Sequence, residues 1–213
     1  MSAPVKTLPG TRKSAIRQEN QAHILLAAEK VFAEYGYKGA TTGLIAEVAG
    51  VPKANVHYYF GTKENLYRHV LEDIVATWFA AAAEFDSLDD PEAAISHYVR
   101  LKLRLSKERP MGSKVFANEI IHGAPHLIGY LQTTLRQWAD AKAAVIERWA
   151  EQGKIRPVDP RHLLFMIWAT TQTYADFGVQ VTAVLGVEEL TDADYERAAE
   201  TLTTVILRGL LAG

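Results

Sequence analysis

The stretch from residue 41 to residue 63, TTGLIAEVAGVPKANVHYYFGTK, constrains the fold more than any other part of the chain. Apolar residues at helical spacing are interrupted once, after Gly50, and then resume. One of the two threonines at the start of the stretch can cap a first helix, and Gly50 can adopt the left-handed conformation that ends it. Pro52 presets the backbone for a second helix from about Lys53 to Phe60. The sequence therefore predicts two short helices joined by a tight turn.

The second of these helices needs few of its residues for packing. Its inward positions are Val56 and one or both of Tyr59 and Phe60, while Lys53, Ala54, Asn55, His57 and Tyr58 have few packing duties. Two helices with a glycine-containing turn and an outward second helix make a helix-turn-helix, whose second helix enters a DNA major groove. With the preceding amphipathic helix, they predict a small domain with the core residues Phe32, Ile45, Val48, Val56 and Phe60.

The stretch closely resembles the DNA-binding signature of the TetR family of repressors. The matching positions are Thr41-Thr42, Ile45-Ala46, Ala49-Gly50-Val51, Tyr58-Tyr59-Phe60 and Gly61-Thr62-Lys63-Glu64-Asn65-Leu66. The resemblance implies an all-α homodimer that binds a palindromic operator in double-stranded DNA. It also implies an N-terminal three-helix helix-turn-helix domain and a C-terminal helical domain for ligand binding and dimerisation.

The same pattern indicates which residues contact DNA. Those expected in the groove are Lys53, Ala54, Asn55, His57 and Tyr58, and those expected on the DNA backbone are Thr42, Tyr59 and Lys63. Asn55 can pair with an adenine edge only if it faces the groove. His57 stands where the family usually has tyrosine, so the base preference at this position is open. Tyr59 either places its hydroxyl on a phosphate or packs in the core.

The charge distribution agrees with a DNA-binding N-terminal part. The chain of 213 residues has a formal net charge of −2, but its first 63 residues have an excess of positive charge and the rest an excess of negative charge. A basic end is expected to meet phosphates. The chain has no cysteine, which excludes disulfides, thiolate metal sites and a cysteine nucleophile. The N-terminus has no signal-peptide pattern, so we expect a cytoplasmic location.

The chain divides into three predicted regions: a flexible basic arm (1–17), a helix-turn-helix domain (18–63) and a ligand-sensing and dimerisation domain (64–213). The arm either reaches a flanking minor groove or is an ordinary disordered tail. Helical periodicity predicts helices at about 19–35, 63–82, 92–109, 113–121, 127–152, 161–185 and 192–211. In the TetR family the last two long helices pair with their copies in the dimer.

The C-terminal part carries a second resemblance. The segment MIWATTQTYADFGVQVTAV, together with Trp78, HYVRLKL and the residues around Gly123 to Pro125, closely resembles the RutR group of TetR regulators. That group implies a uracil-like effector and control of pyrimidine or related nitrogen catabolism. The ligand-binding residues expected here are Trp78, Trp168, Thr171 and Gln172.

The ligand residues also make chemical sense without the family. Trp168 and Gln172 are four residues apart and share one face of a helix. A flat cyclic imide needs an aromatic face and an amide that offers both a donor and an acceptor, which is what Gln172 supplies. The alternative is that these residues are core and that Gln172 bonds only to a neighbouring turn.

Other functions remain as alternatives at this stage. One is a TetR-type repressor with a different apolar or aromatic inducer, and another is a helical DNA-binding protein that senses nothing. An enzyme is not expected, since the chain has no glycine-rich phosphate loop and no Ser-His-Asp pattern in a structural context. No cofactor or metal is expected, because Gly123 and Pro125 disfavour a regular helix between His122 and His126.

Overall fold

The computed structural model describes residues 9–82, 85 and 89–211, with only the backbone described for residues 9–16 and for Ala81. Within these residues all regular elements are helices, apart from an isolated antiparallel bridge between Ile155 and Leu211. The predicted all-α class is therefore confirmed. None of the helices in the described part is long and apolar enough to cross a membrane.

The helices follow one another with short connections. They are α1 (Pro9–Gly39), α2 (Thr42–Val48), α3 (Lys53–Phe60), α4 (Lys63–Ala81), α5 (Pro91–Glu108), α6 (Pro110–Ile121), α7 (Ile128–Tyr130), α8 (Arg136–Glu151), α9 (Pro160–Asp176), α10 (Gly178–Leu185) and α11 (Asp192–Leu210). A π-helical segment, Leu131–Leu135, joins α7 to α8.

The chain forms two compact units, Met1–Glu72 and Asp73–Gly213. The division falls inside α4, whereas the sequence placed the domain boundary between residues 63 and 64. The difference arises because the first half of α4 carries Leu66, Tyr67 and Val70, which are all buried. Tyr67 packs edge-on against Phe32 at 4.7 Å between ring centroids, so this half of the helix belongs to the core of the first unit.

The core of the first unit differs from the prediction at one position. Phe32, Ile45, Val56 and Phe60 are buried as expected, but Val48 is 47% exposed. Ile45 and Ala46 are the buried residues of α2, and Ala49, which directly follows the helix, is buried too. Since successive helical residues are about 100° apart, a face centred on these three leaves Val48 on the side.

Helix α1 begins at Pro9, not near Glu19 as the apolar periodicity predicts. Proline is well tolerated in the first turn of a helix, and the arginine, lysine and alanine residues that follow favour helix. The predicted flexible arm therefore has a helical backbone from residue 9 onward, and residues 1–8 lie outside the described part. The regular helix breaks at Gly36 (φ 65°, ψ 173°), where the sequence predicts its end.

The second unit is built around α5, which packs against both α9 and α11. Trp149 of α8 and Ile167 of α9 are completely buried in this core. The starts of these helices are fixed by side-chain caps: Asp90 caps α5, Asp159 caps α9 and Thr191 caps α11. The long apolar segment after Pro157 forms two helices, because α9 ends at Asp176 and α10 begins at Gly178.

The turn between α2 and α3 generates a prediction about stability. Gly50 has φ 63°, a conformation that costs an L-residue about 1–2 kcal/mol. Gly50→Ala should lower the free energy of unfolding of the first unit by this amount, measured by urea denaturation. Gly43→Ala is the matched control, because Gly43 is helical and its new Cβ would meet Thr41 Oγ1 at an ordinary 3.8 Å. A control variant as unstable as Gly50→Ala would contradict the assignment.

Candidate DNA-binding surface and effector cavity

The turn that orients α3 is held by backbone hydrogen bonds. The N–H of Val51 donates to the carbonyl of Ala46 at 3.0 Å, and the N–H of Gly50 donates to that of Glu47 at 3.0 Å. This pair of bonds, with a left-handed glycine, is the Schellman motif that ends helices. At the other end of α2, Thr41 Oγ1 accepts from the N–H of Leu44 at 3.1 Å. The predicted cap and stop are both confirmed, and they fix the direction in which α3 leaves.

Helix α3 presents the predicted polar face to solvent. Val56 and Phe60 are buried, while Tyr58 is 72% exposed. Lys53, Ala54 and His57 are also exposed, and Thr42, Asn55, Tyr59 and Lys63 are half-buried.

Two polar side chains of α3 are poised differently. His57 Nδ1 lies 3.0 Å from the carbonyl oxygen of Gly61. A carbonyl can only accept, so Nδ1 carries the proton and the outward Nε2 of a neutral ring is an acceptor. Such an acceptor suits the amino groups of cytosine or adenine. The Asn55 side chain makes no hydrogen bond to any described residue, so both of its amide groups remain for a base.

The two tyrosines divide their roles. Tyr59 is half-buried, and its hydroxyl accepts from Asn20 Nδ2 at 3.4 Å, which leaves the phenol proton available for a phosphate. Tyr58 contacts the Tyr59 ring edge-on at 5.1 Å, and the guanidinium of Arg17 lies 6.0 Å from its ring centre. Tyr59 thus combines the two alternatives left open by the sequence, with a packed ring and a usable hydroxyl.

Lys63 has a structural partner that the sequence did not reveal. Its ammonium donates to the carbonyls of Tyr37 and Ala40 at 2.9 and 3.1 Å and lies 4.5 Å from the centre of the Tyr37 ring. Two of its three N–H groups therefore donate hydrogen bonds to carbonyls at the C-terminal end of α1. Only one remains for a DNA phosphate.

The second unit contains a cavity of about 280 Å³. Its wall is mostly aromatic and aliphatic, and it is formed by α4, α5, α6, the π-helical segment, α8 and α9. The lining residues are Val75, Trp78, Phe79, Tyr98, Lys102, Phe116, Ile120, Leu131, Leu135, Trp138, Trp168 and Gln172. The first and last residues of the π-helical segment are in this wall, and π-helical insertions are frequent at functional sites.

Three of the four predicted ligand residues line the cavity. The ring of Trp78 packs edge-on against that of Phe116, with 4.8 Å between the ring centroids, and the ring centroids of Trp168 and Trp138 are 6.0 Å apart. Both tryptophans thus belong to an aromatic wall, as expected for a flat ligand. Gln172 is half-buried, and its amide makes no hydrogen bond to any described residue.

Thr171 is the exception, and we remove it from the set of ligand residues. It is completely buried, and its Oγ1 donates to the carbonyl of Ile167 at 2.7 Å. Its own carbonyl accepts from Ser106 Oγ at 3.0 Å. Successive side chains on a helix point about 100° apart, so the side chain of Thr171 does not share the direction of Gln172. Thr171 is not among the residues that line the cavity.

Two polar residues of the wall lie on α5. Tyr98 Oη accepts from Trp168 Nε1 at 2.9 Å, and burial raises the Tyr98 pKa, so the hydroxyl keeps its proton and can donate it to a ligand. Lys102 is only 3% exposed, and its ammonium lies 4.2 Å from the centre of the Trp78 ring. Burial lowers the Lys102 pKa to about 7, against the opposing charge of Asp176.

The sequence analysis did not select Tyr98 or Lys102, although a signal was present. Lys102 occupies the same face of α5 as Tyr98, Val99 and Leu103, which are all buried. A lysine at a core position of an amphipathic helix is rare unless it has a partner. In this structure Lys102 lines the cavity.

The two histidines between α6 and α7 have separate local contacts. His122 Nδ1 lies 2.7 Å from the carbonyl of Asn118. Glu119 is buried and accepts from the N–H of His126 at 2.6 Å, with a second contact of 3.2 Å to the His126 ring. Each imidazole thus has its own neighbour in holding the connection after α6.

Comparison with known proteins finds a match for each of the two compact units of the chain. Residues 24–70 match the model of the bacterial regulatory proteins of the tetR family, and residues 71–213 match that of the C-terminal region of YcdC-like proteins. The HTH-type transcriptional regulator RutR of Escherichia coli K12 is 42% identical, covering 97% of this chain and 96% of its own. The HTH-type transcriptional repressor NicS of Pseudomonas putida is 29% identical, covering 94% and 98%.

A solved structure supports the fold. The ketosteroid transcriptional regulator KstR2 of Mycobacterium tuberculosis has a TM-score of 0.73 at 18% identity, covering 91% of this chain and 95% of that chain. At this identity the match concerns the fold alone.

The two lysines of the DNA-facing surface should respond differently to substitution. Lys63→Met should lower the free energy of unfolding by about 1.5–3 kcal/mol, because two carbonyls lose a charged donor. Lys53→Met should leave stability unchanged, because Lys53 is exposed. It should weaken binding to any short duplex and reduce the slope of log K against log salt by about one. Urea denaturation and fluorescence anisotropy at several salt concentrations measure the two effects, and equal losses of stability would contradict the assignment.

Proposed function

This chain belongs to the TetR family of bacterial regulatory proteins, and we propose that the small molecule to which it responds is a uracil-like cyclic imide bound in the aromatic cavity. As a member of this family close to RutR, it is a ligand-responsive DNA-binding transcriptional regulator and not an enzyme. Its partners are operator DNA, a small-molecule effector and a second copy of the chain. Because the protein acts on operator DNA, we place the protein in the cytoplasm.

One observation carries the proposal for the effector: Gln172 lies in the wall of an aromatic cavity, and its amide has no hydrogen-bond partner among the described residues. An amide in an apolar site loses free energy unless it is hydrogen-bonded. A cyclic imide edge presents C=O and N–H side by side, so it matches both groups of the amide at once. The faces of Trp78 and Trp168 can then cover the ring.

The size of the cavity also favours a single-ring effector. Ligand cavities usually measure about 300–1,000 Å³. A cavity of about 280 Å³ is just below this range, so it suits one heterocycle better than a larger ligand. The name of RutR, the 42% identical relative, is that of a transcriptional regulator, which agrees with an effector-controlled protein. Because the cavity suits a uracil-like ring and the C-terminal segment resembles the RutR group, we assign the chain to control of pyrimidine or related nitrogen catabolism.

We assign the DNA contacts to the exposed face of α3. Asn55 and His57 are the candidates for base edges, because the first has a free amide and the second has an outward acceptor. Lys53 and the hydroxyl of Tyr59 are the candidates for phosphates. Two copies of α3 in a homodimer would occupy successive major grooves, about 34 Å apart.

The surface of the last helices supports the dimer. Phe165 and Met166 on α9 and Val205 on α11 are 51%, 43% and 67% exposed. Large apolar residues at such exposure are commonly covered by a partner. Their place on α9 and α11 agrees with the helices that the family uses for pairing.

Helix α4 is our candidate for the element that responds to the ligand. It contributes Val75, Trp78 and Phe79 to the cavity wall. Arg109 fastens α4 to the corner between α5 and α6, donating to Asp73 at 2.5 Å and to Thr77 at 3.0 Å. An effector that binds better to a conformation unable to hold DNA shifts the population toward it, and one that binds both conformations equally has no effect.

Gln172→Met tests the effector site. The variant has nearly the same volume but lacks the amide, so uracil affinity should fall about 10- to 100-fold, while affinity for a DNA duplex selected by the wild-type protein should not change. Calorimetry and gel shifts with added uracil measure the two effects. Gln152→Met, at an exposed position after α8, should behave like the wild type.

The ligand provides a second control. 1,3-Dimethyluracil has the same ring but no N–H, so it should neither bind tightly nor release DNA. If it releases DNA as well as uracil does, the cavity recognises only an aromatic shape, which favours the alternative of an apolar or aromatic inducer.

Val205→Glu tests the dimer. A charge at a two-fold interface is introduced twice, so the dissociation constant of the dimer should rise by at least about 100-fold. Analytical ultracentrifugation measures it. Ile121→Glu is the matched control, because Ile121 is 72% exposed but lies on α6. Unchanged dimerisation of Val205→Glu would place the interface elsewhere.

A further inference from the structure

The buried amine of Lys102 has no hydrogen-bond acceptor among the described residues. Lys102 is 3% exposed and lines the cavity, yet in this part of the chain it forms no hydrogen bond and no direct ion pair. Its nitrogen lies 4.2 Å from the centre of the Trp78 ring. The charged form costs several kcal/mol in an apolar site unless it is paired, so burial lowers the Lys102 pKa to about 7, and the ammonium needs a directly paired anion that none of the described residues supplies.

The surrounding charged groups do not satisfy Lys102. On α9, Asp176 is near enough to favour its charged form, but Asp176 accepts from Ser113 Oγ of α6 at 2.5 Å and also faces Lys114. On α11 the neighbouring carboxylates, Asp192 and Glu196, are exposed and paired with Lys107 and Arg100.

The remaining walls add no anion to the lining. From α4 the lining residues are Val75, Trp78 and Phe79. From α8 the charged residue nearest to the lining is Lys142, whose ammonium lies 5.4 Å from the centre of the Trp138 ring. The cavity therefore has one cationic lining residue and no anionic one among the described residues.

We propose that Lys102 makes this cavity select acidic cyclic imides, which it binds as anions through an ion pair between Nζ and a ring oxygen. The inference rests on the proposed function, since it concerns the chemistry of the same effector. A ligand that is already ionised enters as the anion. For a ligand that is neutral in solution, the ring N–H proton passes to the neutral amine of Lys102, and the resulting pair has no net charge.

The selectivity follows from the acidity of the ring N–H. Uracil and 6-azauracil have nearly the same size and the same imide edge, but the ring N–H of 6-azauracil is more acidic. Forming the imidate therefore costs less free energy for 6-azauracil, and each unit of ligand pKa is a factor of ten in that cost. At pH 7 the wild-type protein should bind 6-azauracil at least about 10-fold more tightly than uracil.

The proposal also predicts how affinity depends on pH. The bound anion raises the pKa of Lys102 above its free value of about 7. Barbiturate is already ionised near neutral pH, so its affinity should be constant just below pH 7, where Lys102 is charged. Above pH 7 the affinity should fall by up to tenfold per pH unit, until the pH exceeds the raised pKa of Lys102 in the complex.

Calorimetry on the full chain tests these expectations with Lys102→Met, which keeps the volume and removes the charge. The variant should bind uracil and 6-azauracil with similar affinity and should lose the pH dependence of barbiturate binding. Lys107→Met is the matched control, because Lys107 lies on the same helix as Lys102 but pairs with the exposed Asp192 and does not line the cavity. It should keep the wild-type preference. Circular dichroism establishes that each variant is folded.

The outcomes separate the inference from the proposed function. If the wild-type protein binds uracil and 6-azauracil equally and Lys102→Met changes neither, the role of Lys102 is overturned and the proposed effector stands. If 6-azauracil and barbiturate bind and uracil does not, the role of Lys102 is supported and uracil is replaced as the effector. If none of the three binds, both are overturned.

Discussion

The sensing unit depends on the way in which α5 packs against α9. Tyr98 accepts from Trp168, and Ser106 donates to the backbone carbonyl of Thr171, so two hydrogen bonds fix these helices at two heights. Both helices contribute to the core around Trp149 and Ile167. Tyr98 and Trp168 also line the cavity. The hydrogen bond between these two residues therefore holds the helices together and fixes part of the wall of the ligand site.

Hydrogen bonding within the chain distinguishes several polar residues of both units. Thr171 Oγ1 donates to a carbonyl of the chain, and Lys63 donates to two and keeps one N–H for a phosphate. Gln172 and Lys102 line a cavity and have no hydrogen-bond partner among the described residues. Asn55 is in the same situation on the surface of α3. Because buried or half-buried polar groups rarely remain without partners, the unsatisfied groups mark where DNA and effector are expected.

The sequence predicted local structure better than the direction of individual side chains. Gly50 and Thr41 act within a few residues, and their roles as stop and cap were predictable because each needs only its own turn. Thr171 and Val48 were misplaced because one position on a helix changes the direction by about 100°, and only tertiary packing shows which side is covered. Lys63 donates to the carbonyls of Tyr37 and Ala40, which are distant from it in sequence, so local patterns could not reveal these bonds. Lys102 carried a readable signal, since its helical face is otherwise apolar.

Unsatisfied polar groups in the cavity wall also offer a way for a small effector to control a large protein. Burial lowers the Lys102 pKa to about 7, and the Gln172 amide has no hydrogen-bond partner among the described residues, so under the proposal a ligand of matching polarity gains by pairing with both groups. An apolar compound of the same size pairs with neither group, so discrimination arises from the groups left unpaired more than from shape. The free energy gained by pairing with these two groups shifts the conformational equilibrium only if the ligand can pair with both of them in one conformation and not in the other. Trp78 links the cavity to helix α4, because its ring lies 4.2 Å from the Lys102 nitrogen and it belongs to the helix that we take as the element responding to the effector.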